Sequence, residues 1–152
     1  MLCGFVASGK TTYARTLEAR GCVRLSLDEH VFERHGRHGI DYDEGEHPVH
    51  WAAARAELDE ELRTLMAEGR DVVLDYGFWS RDLRELYKRL IESGGGRWRL
   101  VYFECDLEEI RRRLAERNRR DDANALFVGE RHLAEFLSRW EPPHGEGEEP
   151  AG

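Results

Sequence analysis

Residues 4 to 11, with the sequence GFVASGKT, decide the fold. They match the phosphate-binding loop pattern of a glycine, any four residues, a second glycine, a lysine, and then serine or threonine. Gly4 and Gly9 allow backbone conformations and close approaches that a Cβ atom would block. Successive N–H groups can then turn inward around a β-phosphate, at the positive end of a helix that begins near Gly9. The segment therefore predicts a phosphate-binding loop (P-loop) between a strand and a helix.

The polar side chains of the loop extend this prediction to a nucleoside triphosphate and its magnesium ion. Lys10 can reach the β- and γ-phosphates, and the Thr11 hydroxyl can ligate Mg²⁺. Lys10 and Lys88 are the only lysines in the sequence, so a chance match to the four fixed positions is on the order of one in a thousand. An ordinary glycine-containing turn is the alternative. The residues expected to bind the nucleotide are Gly4, Ala7, Ser8, Gly9, Lys10, Thr11 and Thr12.

Short apolar runs alternate with amphipathic segments along the rest of the chain. The runs at 22–25, 71–75 and 98–103 predict strands, and only Met1, Leu2 and Cys3 are left to form a first strand before the loop. The segments predicted to be helical are 10–20, 49–68, the stretches that follow Ser80 and Asp106, and about 129–140. This succession predicts an α/β three-layer sandwich whose mostly parallel sheet has four or five strands.

The end of the sequence shows no strand signal. No apolar run follows Arg120, and residues 141–152 contain three prolines, three glycines and four glutamates. Such a composition is typical of disorder. We therefore expect a domain at 1–140 and a disordered acidic tail at 141–152.

Composition limits the functional class. A chain of 152 residues with 36% charged residues fits one soluble domain, and no apolar run approaches the length of a membrane span. Nor does the N-terminus resemble a signal peptide. We expect a cytoplasmic location, without membrane association. The formal net charge of -8 makes broad nucleic-acid binding unlikely. The three cysteines are widely spaced and predict reduced thiols.

Four segments together carry a resemblance to a known group of proteins. They are the P-loop, the strand end Leu25-Ser26-Leu27-Asp28, the strand end Val72-Val73-Leu74-Asp75, and the arginine-rich stretch 111–120. Over roughly residues 1 to 125 they resemble single-domain P-loop kinases, a group that includes chloramphenicol phosphotransferase, zeta-toxin-type kinases, gluconate kinase and the kinase domain of polynucleotide kinases. Bacterial proteins described as AAA-family ATPases are similar. The resemblance implies a P-loop NTPase fold of the nucleotide-kinase type.

Two carboxylates at strand ends are candidate site residues. The carboxyl ends of parallel strands meet at the edge where open α/β sheets bind ligands. The resemblance implies that Asp28 is the general base that accepts the proton of the attacking hydroxyl; alternatively, Asp28 caps a short helix beginning at Glu29. Asp75 resembles a Walker-B acid that holds Mg²⁺, or is simply an acid in a solvated turn before Gly77.

The arginine-rich stretch resembles the lid of small-molecule kinases, which we place near 111–125. Arg113, Arg117 and Arg120 share a helix face by their spacing. The resemblance implies that Arg117 and Arg120 close over the transferring phosphate. For Arg111 and Arg112 we favour the alternative, a solvated helix surface with ion pairs to glutamates.

Residues 29–50 are the least regular segment and hold five of the seven histidines. Their spacing fits no established metal-ligand pattern, so a mobile segment facing the substrate is favoured over a metal site. Aromatic residues could form a wall for a ring-bearing substrate or could simply be packed; they are Tyr42, Tyr76, Phe78 and Trp79.

The sequence thus predicts an ATP- and Mg²⁺-dependent kinase, a monomer or homodimer, that phosphorylates a hydroxyl of a small-molecule or nucleotide-like acceptor. Its catalytic residues would be Lys10, Asp28, Arg117 and Arg120, with Thr11 and Asp75 at the metal. One alternative is an ATP-binding or ATP-hydrolysing switch protein without an acceptor. Another is a polynucleotide 5′-hydroxyl kinase, which the acidic net charge makes less favoured.

Overall fold

A computed structural model describes residues 1–117 and 129–152. Within these ranges five strands run parallel: β1 (Leu2–Gly4), β2 (Val23–Ser26), β3 (Val72–Asp75), β4 (Leu100–Phe103) and β5 (Glu148–Pro150). Strands β2 and β3 form one ladder, and β1, β4 and β5 form another in that order. A parallel bridge between Cys3 and Gly77 joins the ladders. The spatial order is therefore β2-β3-β1-β4-β5, and the strand before the P-loop is short but central.

Six α-helices accompany the strands in the described ranges: α1 (Lys10–Glu18), α2 (Leu27–His35), α3 (His47–Ala67), α4 (Arg81–Ser93), α5 (Leu107–Arg117) and α6 (Glu130–Arg139). The predicted caps of α4 and α5 are confirmed, because the side chains of Ser80 and Asp106 accept hydrogen bonds from the N–H groups of Leu83 and Glu109. Helix α2 lies where the sequence predicted irregular structure. None of the described helices is long and apolar enough to cross a bilayer.

Alternating strand residues fill two apolar layers, one on each face of the sheet. On one face Cys3, Leu25, Leu74 and Leu100 pack with residues of α3 and α4 such as Leu58, Leu62, Tyr87 and Ile91. On the other face Leu2, Val73 and Val101 pack with Ala14 and Leu17 of α1. The predicted α/β fold with a parallel, doubly covered sheet is therefore confirmed.

The prediction of a disordered acidic tail at 141–152 is wrong. Glu148–Pro150 forms β5 and pairs in parallel with β4, in the register Leu100 to Glu148 and Tyr102 to Pro150. A proline is tolerated here because β5 is at the edge of the described sheet. The strand has no apolar periodicity, and ion pairs anchor the segment, as Glu146 does with buried Arg84. The sequence also predicted no strand after the lid, and β5 shows that this prediction is wrong.

Candidate active site

The P-loop turns tightly between β1 and α1. The Ser8 N–H donates to the Phe5 carbonyl at 3.2 Å, and Ala7 and Gly9 adopt φ angles of 59° and 103°. A Cβ atom on Gly4 would lie 2.6 Å from Ser8 Oγ and 2.8 Å from the Cβ of Phe103. The two motif glycines therefore serve different needs: Gly9 permits a left-handed turn, whereas Gly4 lets the loop pack closely against itself and β4.

The start of α1 fits an anion. Gly9 precedes the helix, and no side chain caps it there. The first backbone N–H groups of the helix and their partial positive charge therefore face the loop. The Lys10 ammonium donates to the Phe5 carbonyl at 2.7 Å, and desolvation lowers the pKa of Lys10. Thr11 is half-buried and Thr12 exposed in the same turn.

Asp28 lies in the first turn of α2, directly after β2. Ser26 is the cap of this helix, since its side chain accepts from the Glu29 N–H, so the alternative that Asp28 is the cap is wrong. Asp28 is exposed to solvent, although surrounding protein atoms desolvate its carboxylate. Desolvation, and next the negative charge of Asp75, raise the pKa of Asp28; the charges of Lys10 and Arg117 oppose the shift.

Asp75 is buried at the end of β3, with 6% of its surface exposed. The alternative of a solvated turn is therefore wrong. Arg24 of β2 donates to Asp75 Oδ2 from Nη2 at 2.9 Å and from Nε at 3.3 Å, and also pairs with Glu29 at 2.6 Å. Sequence reasoning missed Arg24, although an arginine between Val23 and Leu25 is an unusual residue for an apolar strand.

The arginines of α5 divide into two groups. Arg117 is within electrostatic range of the loop: its positive charge adds to the lowering of the Lys10 pKa and opposes the rise in the Asp28 pKa. Arg113 also reaches the loop, where its Nη1 donates to the Ala7 carbonyl at 3.3 Å. By contrast, Arg111 and Arg112 make surface ion pairs, with Glu130 and Glu109 respectively.

Part of the predicted lid is outside the described residues. Arg120 falls there, together with Asn118, Arg119, Asp121 and Asp122. The structure therefore brings together four predicted site groups, Lys10, Asp28, Asp75 and Arg117, with Thr11 next to Lys10.

The aromatic residues that follow β3 are mostly core residues. Tyr76 and Phe78 are 7% and 0% exposed and pack on Tyr87. Trp79 is 46% exposed, and Tyr42 lies among histidines of the segment between α2 and α3. Packing thus explains Tyr76 and Phe78. Tyr42 is linked to the site electrostatically, because burial and then the charge of Asp28 raise its pKa.

A family model matches the sequence, and solved structures match the fold. The family model described as an AAA domain matches residues 1–143. Chaetomium thermophilum Kti12, solved with ADP-AlF3, is similar with a TM-score of 0.73 and 17% identity over 99% of this chain and 87% of that chain. A sugar kinase from Janibacter sp. HTCC2649 gives 0.61 and 18%, covering 99% and 82%. APE1195 gives 0.57 and 19%, covering 99% and 81%.

No curated protein matches the chain significantly. The solved structures are too distant in sequence to show more than the fold. That fold is the P-loop, kinase-like nucleotide-binding fold predicted from the sequence.

Proposed function

The chain belongs to the AAA domain family, and we propose that it is an ATP- and Mg²⁺-dependent kinase for a hydroxyl of a small-molecule or nucleotide-like acceptor. One observation carries the proposal: Asp28, a carboxylate whose pKa is raised, lies within electrostatic reach of the P-loop lysine, a second carboxylate and an arginine. Phosphoryl transfer needs these groups at one place, because it depends on positioning and on charge stabilisation.

The loop residues would hold the triphosphate. The backbone of residues 7–12 and the start of α1 supply N–H donors, and Lys10 would turn from the Phe5 carbonyl to the β- and γ-phosphates. The Thr11 hydroxyl and Asp75 would hold Mg²⁺, which when bound neutralises charge that develops between the β- and γ-phosphates. Two observations support this assignment. A Cβ atom on Gly4 would collide with Ser8 and Phe103, and no side chain caps the start of α1.

Asp28 would act as the general base. The acceptor hydroxyl gives its proton to the Asp28 carboxylate while its oxygen bonds to the γ-phosphorus. The bond from that phosphorus to the β,γ-bridging oxygen breaks, and ADP leaves with the electron pair. A raised pKa makes Asp28 a stronger base than an ordinary aspartate, and its access to solvent would let an acceptor reach it.

Arginines of α5 would complete the site. Arg117 is near enough to Lys10 and Asp28 to act on the charge of the transferring group. Arg113 contacts the loop and would help to fix its shape. We keep Arg120 and a lid near 111–125 as predictions, along with the cytoplasmic location and the monomeric or homodimeric state.

An ATP-binding switch without an acceptor is the second candidate, and the pairing of Asp75 supports it. Arg24 already neutralises Asp75 and links it to Glu29 at the start of α2. If Mg²⁺ competes with Arg24 for Asp75, nucleotide binding would release Arg24 and shift α2. Such coupling suits a switch as well as a kinase, so only acceptor chemistry separates them.

The test is a screen for phosphorylation. Hydroxyl-bearing metabolites, antibiotics and nucleosides are incubated with the protein, ATP and Mg²⁺, and mass spectrometry detects the gain of one phosphate. We expect Asp28→Asn to retain nucleotide binding and lose transfer. Asp71→Asn, a change at an exposed aspartate before β3, is the matched control and should behave like the wild type. Tight ATP binding with no modified compound, and hydrolysis that is unchanged by Asp28→Asn, would favour the switch.

A further inference from the structure

Four histidines and a tyrosine form one continuous cluster where the end of α2, the segment that follows it and the start of α3 meet. The rings of His35 and His50 stack with centroids 3.7 Å apart, and those of His38 and His47 are 4.4 Å apart. Tyr42 joins the two pairs: its ring contacts His50 at 4.9 Å, and a 2.7 Å hydrogen bond links its hydroxyl to His47 Nδ1. All five residues are half-buried, so a ligand can reach them. We call this set the histidine cluster.

The histidine cluster lies beside the proposed base. Helix α2 carries Asp28 near its start and His35 at its end, which places their Cα atoms about 10 Å apart at 1.5 Å per residue. Tyr42 is within electrostatic range of Asp28, because burial and then the charge of Asp28 raise the pKa of Tyr42. An acceptor whose hydroxyl sits at Asp28 would therefore extend over the histidine cluster.

The basic groups nearest the cluster already have acidic partners. Arg34 and His30 both pair with Glu57 of α3, at 2.6 and 3.0 Å, and Arg37 pairs with Asp41 at 3.1 Å. In residues 1–117 and 129–152, no hydrogen bond or ion pair joins an imidazole of the cluster to a carboxylate. The cluster is thus a group of protonatable nitrogens that no carboxylate in the described part of the chain contacts by a hydrogen bond or ion pair.

Other acids surround the cluster without neutralising it. Asp43 and Glu46 accept hydrogen bonds from each other's backbone N–H groups in a capping box, Glu44 lies between them, and Glu57 acts on His35 only through space. Within the cluster the imidazoles repel one another's protons: burial and then His38 and His50 lower the pKa of His47. An added anion would reverse this repulsion.

We infer that the histidine cluster binds an anionic group, a phosphate or a carboxylate, on the hydroxyl acceptor and takes up protons when it does so. That the ligand is a hydroxyl acceptor rests on the proposed function, but anion binding by the histidine cluster does not require catalysis. A metal is not the better ligand, because no group of three or more His, Cys, Asp or Glu side chains in the described ranges could hold one. Tyr42 bonds to His47 Nδ1, and the rings of His35 and His50 contact each other through their faces. Other ring nitrogens can then donate N–H hydrogen bonds, and such donors suit an oxyanion.

The first test is a titration followed by NMR of the imidazole protons. The full chain is saturated with Mg²⁺ and a non-hydrolysable ATP analogue, so that the P-loop is filled, and receives inorganic phosphate or acetate at pH 6, 7 and 8. We expect the cluster imidazoles to shift, and the affinity to fall up to about tenfold per pH unit if one proton is taken up. The better ligand of the two anions identifies the acidic group.

Matched variants make this test decisive. His38→Gln combined with His50→Gln should weaken the anion at least tenfold at pH 6 while the nucleotide affinity stays unchanged, which shows that the fold is intact. His144→Gln, in the C-terminal segment, should leave anion binding unchanged. The inference is overturned if the cluster imidazoles do not respond to either anion, or if binding does not depend on pH.

The two proposals can fail separately. If anions bind the cluster but no hydroxyl compound is phosphorylated, the kinase proposal fails and the anion site stands. If uncharged acceptors are phosphorylated as efficiently as acidic ones, and the double variant leaves KM unchanged for both, the anion site fails and the kinase stands. If both are right, the double variant raises KM about tenfold for acidic acceptors alone.

Discussion

Two charged clusters on this sheet are built in opposite ways. In the C-terminal clasp, formed by Arg84, Lys88 and the segment 141–150, the two cations meet the carboxylate of Glu146. Arg84 is 0% exposed, holds Glu146 through two 2.7 Å hydrogen bonds, and donates to the carbonyls of Phe78 and Glu141. Lys88 donates to the Glu146 carbonyl at 2.7 Å. These contacts join β5 and its approach to the body of the fold.

At the candidate active site Lys10 and Asp28 are held against their preference, whereas buried Asp75 is paired with Arg24. Lys10 has its pKa lowered by desolvation, and Asp28 has its pKa raised by desolvation and by Asp75. In the clasp the hydrogen bonds from Arg84 lower the pKa of Glu146. The proposed kinase site would receive a polyanion and a proton, and charges with such shifted pKa values suit that role, whereas a clasp that only holds the chain has no need of them. The difference predicts opposite responses to mutation.

The largest expected effect is on catalysis. Asp28→Asn removes the proposed base and should lower kcat for phosphoryl transfer by about 10² to 10⁴, with little change in nucleotide affinity. The same variant should be more stable than the wild type at pH 7, because a desolvated carboxylate beside Asp75 is removed. Steady-state kinetics and thermal unfolding measure the two. Lower stability at pH 7 would show that Asp28 has a structural role instead.

Breaking the clasp should have the next largest effect. Arg84→Met leaves the Glu146 carboxylate buried without its partner, which should cost about 3 to 5 kcal/mol of unfolding free energy. The double variant Arg84→Met, Glu146→Gln should recover part of this loss. Urea unfolding measures both. Two equally unstable variants would mean that the packing of Arg84, and not its charge, holds the C-terminal segment.

Parts of this comparison could be predicted from sequence. The P-loop pattern identifies Lys10, and the strands that end at Asp28 and Asp75 are also local sequence signals. Parallel strands bring their carboxyl ends to one edge of the sheet, so the two carboxylates are expected there. The cap of α2 was also readable, since Ser26 precedes Glu29 by three residues. The sequence offered Asp28 only as an alternative cap, for a helix beginning at Glu29, whereas α2 begins two residues earlier, at Leu27.

The remaining contacts join distant residues and have no local signal. Arg84 and Glu146 are 62 residues apart, and Arg24 and Asp75 are 51 apart. Strand β5 consists of two glutamates and a proline, so hydrophobic periodicity could not identify it. Long-range pairs such as Arg84–Glu146 hold the segment in place. Composition predicted disorder for the segment because it counts charges without their partners.

The third prediction compares the two clusters as pH falls. The folded pKa of Glu146 lies below its ordinary value of 4.5, so its stabilisation is present above that pH and is lost as pH falls through the folded pKa. Glu146→Gln should therefore be less stable than the wild type at pH 7, and the gap should close below about pH 4.5. Urea unfolding between pH 7 and pH 3 measures it.

Asp28 should show the opposite sign over the same pH range. Its folded pKa lies above its ordinary value of 3.8, so the charged form destabilises the fold at neutral pH. The extra stability of Asp28→Asn should shrink as pH falls through the folded pKa and vanish below 3.8. If both variants change in the same direction with pH, the contrast between clasp and active site is wrong.

The smallest effect should come from the exposed pair that flanks the clasp. Arg99 and Glu149 lie 2.5 Å apart across β4 and β5, but their side chains are 75% and 44% exposed. Water and salt screen such a pair, so Glu149→Gln should destabilise the fold far less than Arg84→Met at low salt, and less still at 1 M NaCl. Urea unfolding at both salt concentrations tests this. If Glu149→Gln lowered the unfolding free energy as much as Arg84→Met, the contacts between β5 and β4 would stabilise the C-terminal segment more than the buried clasp does.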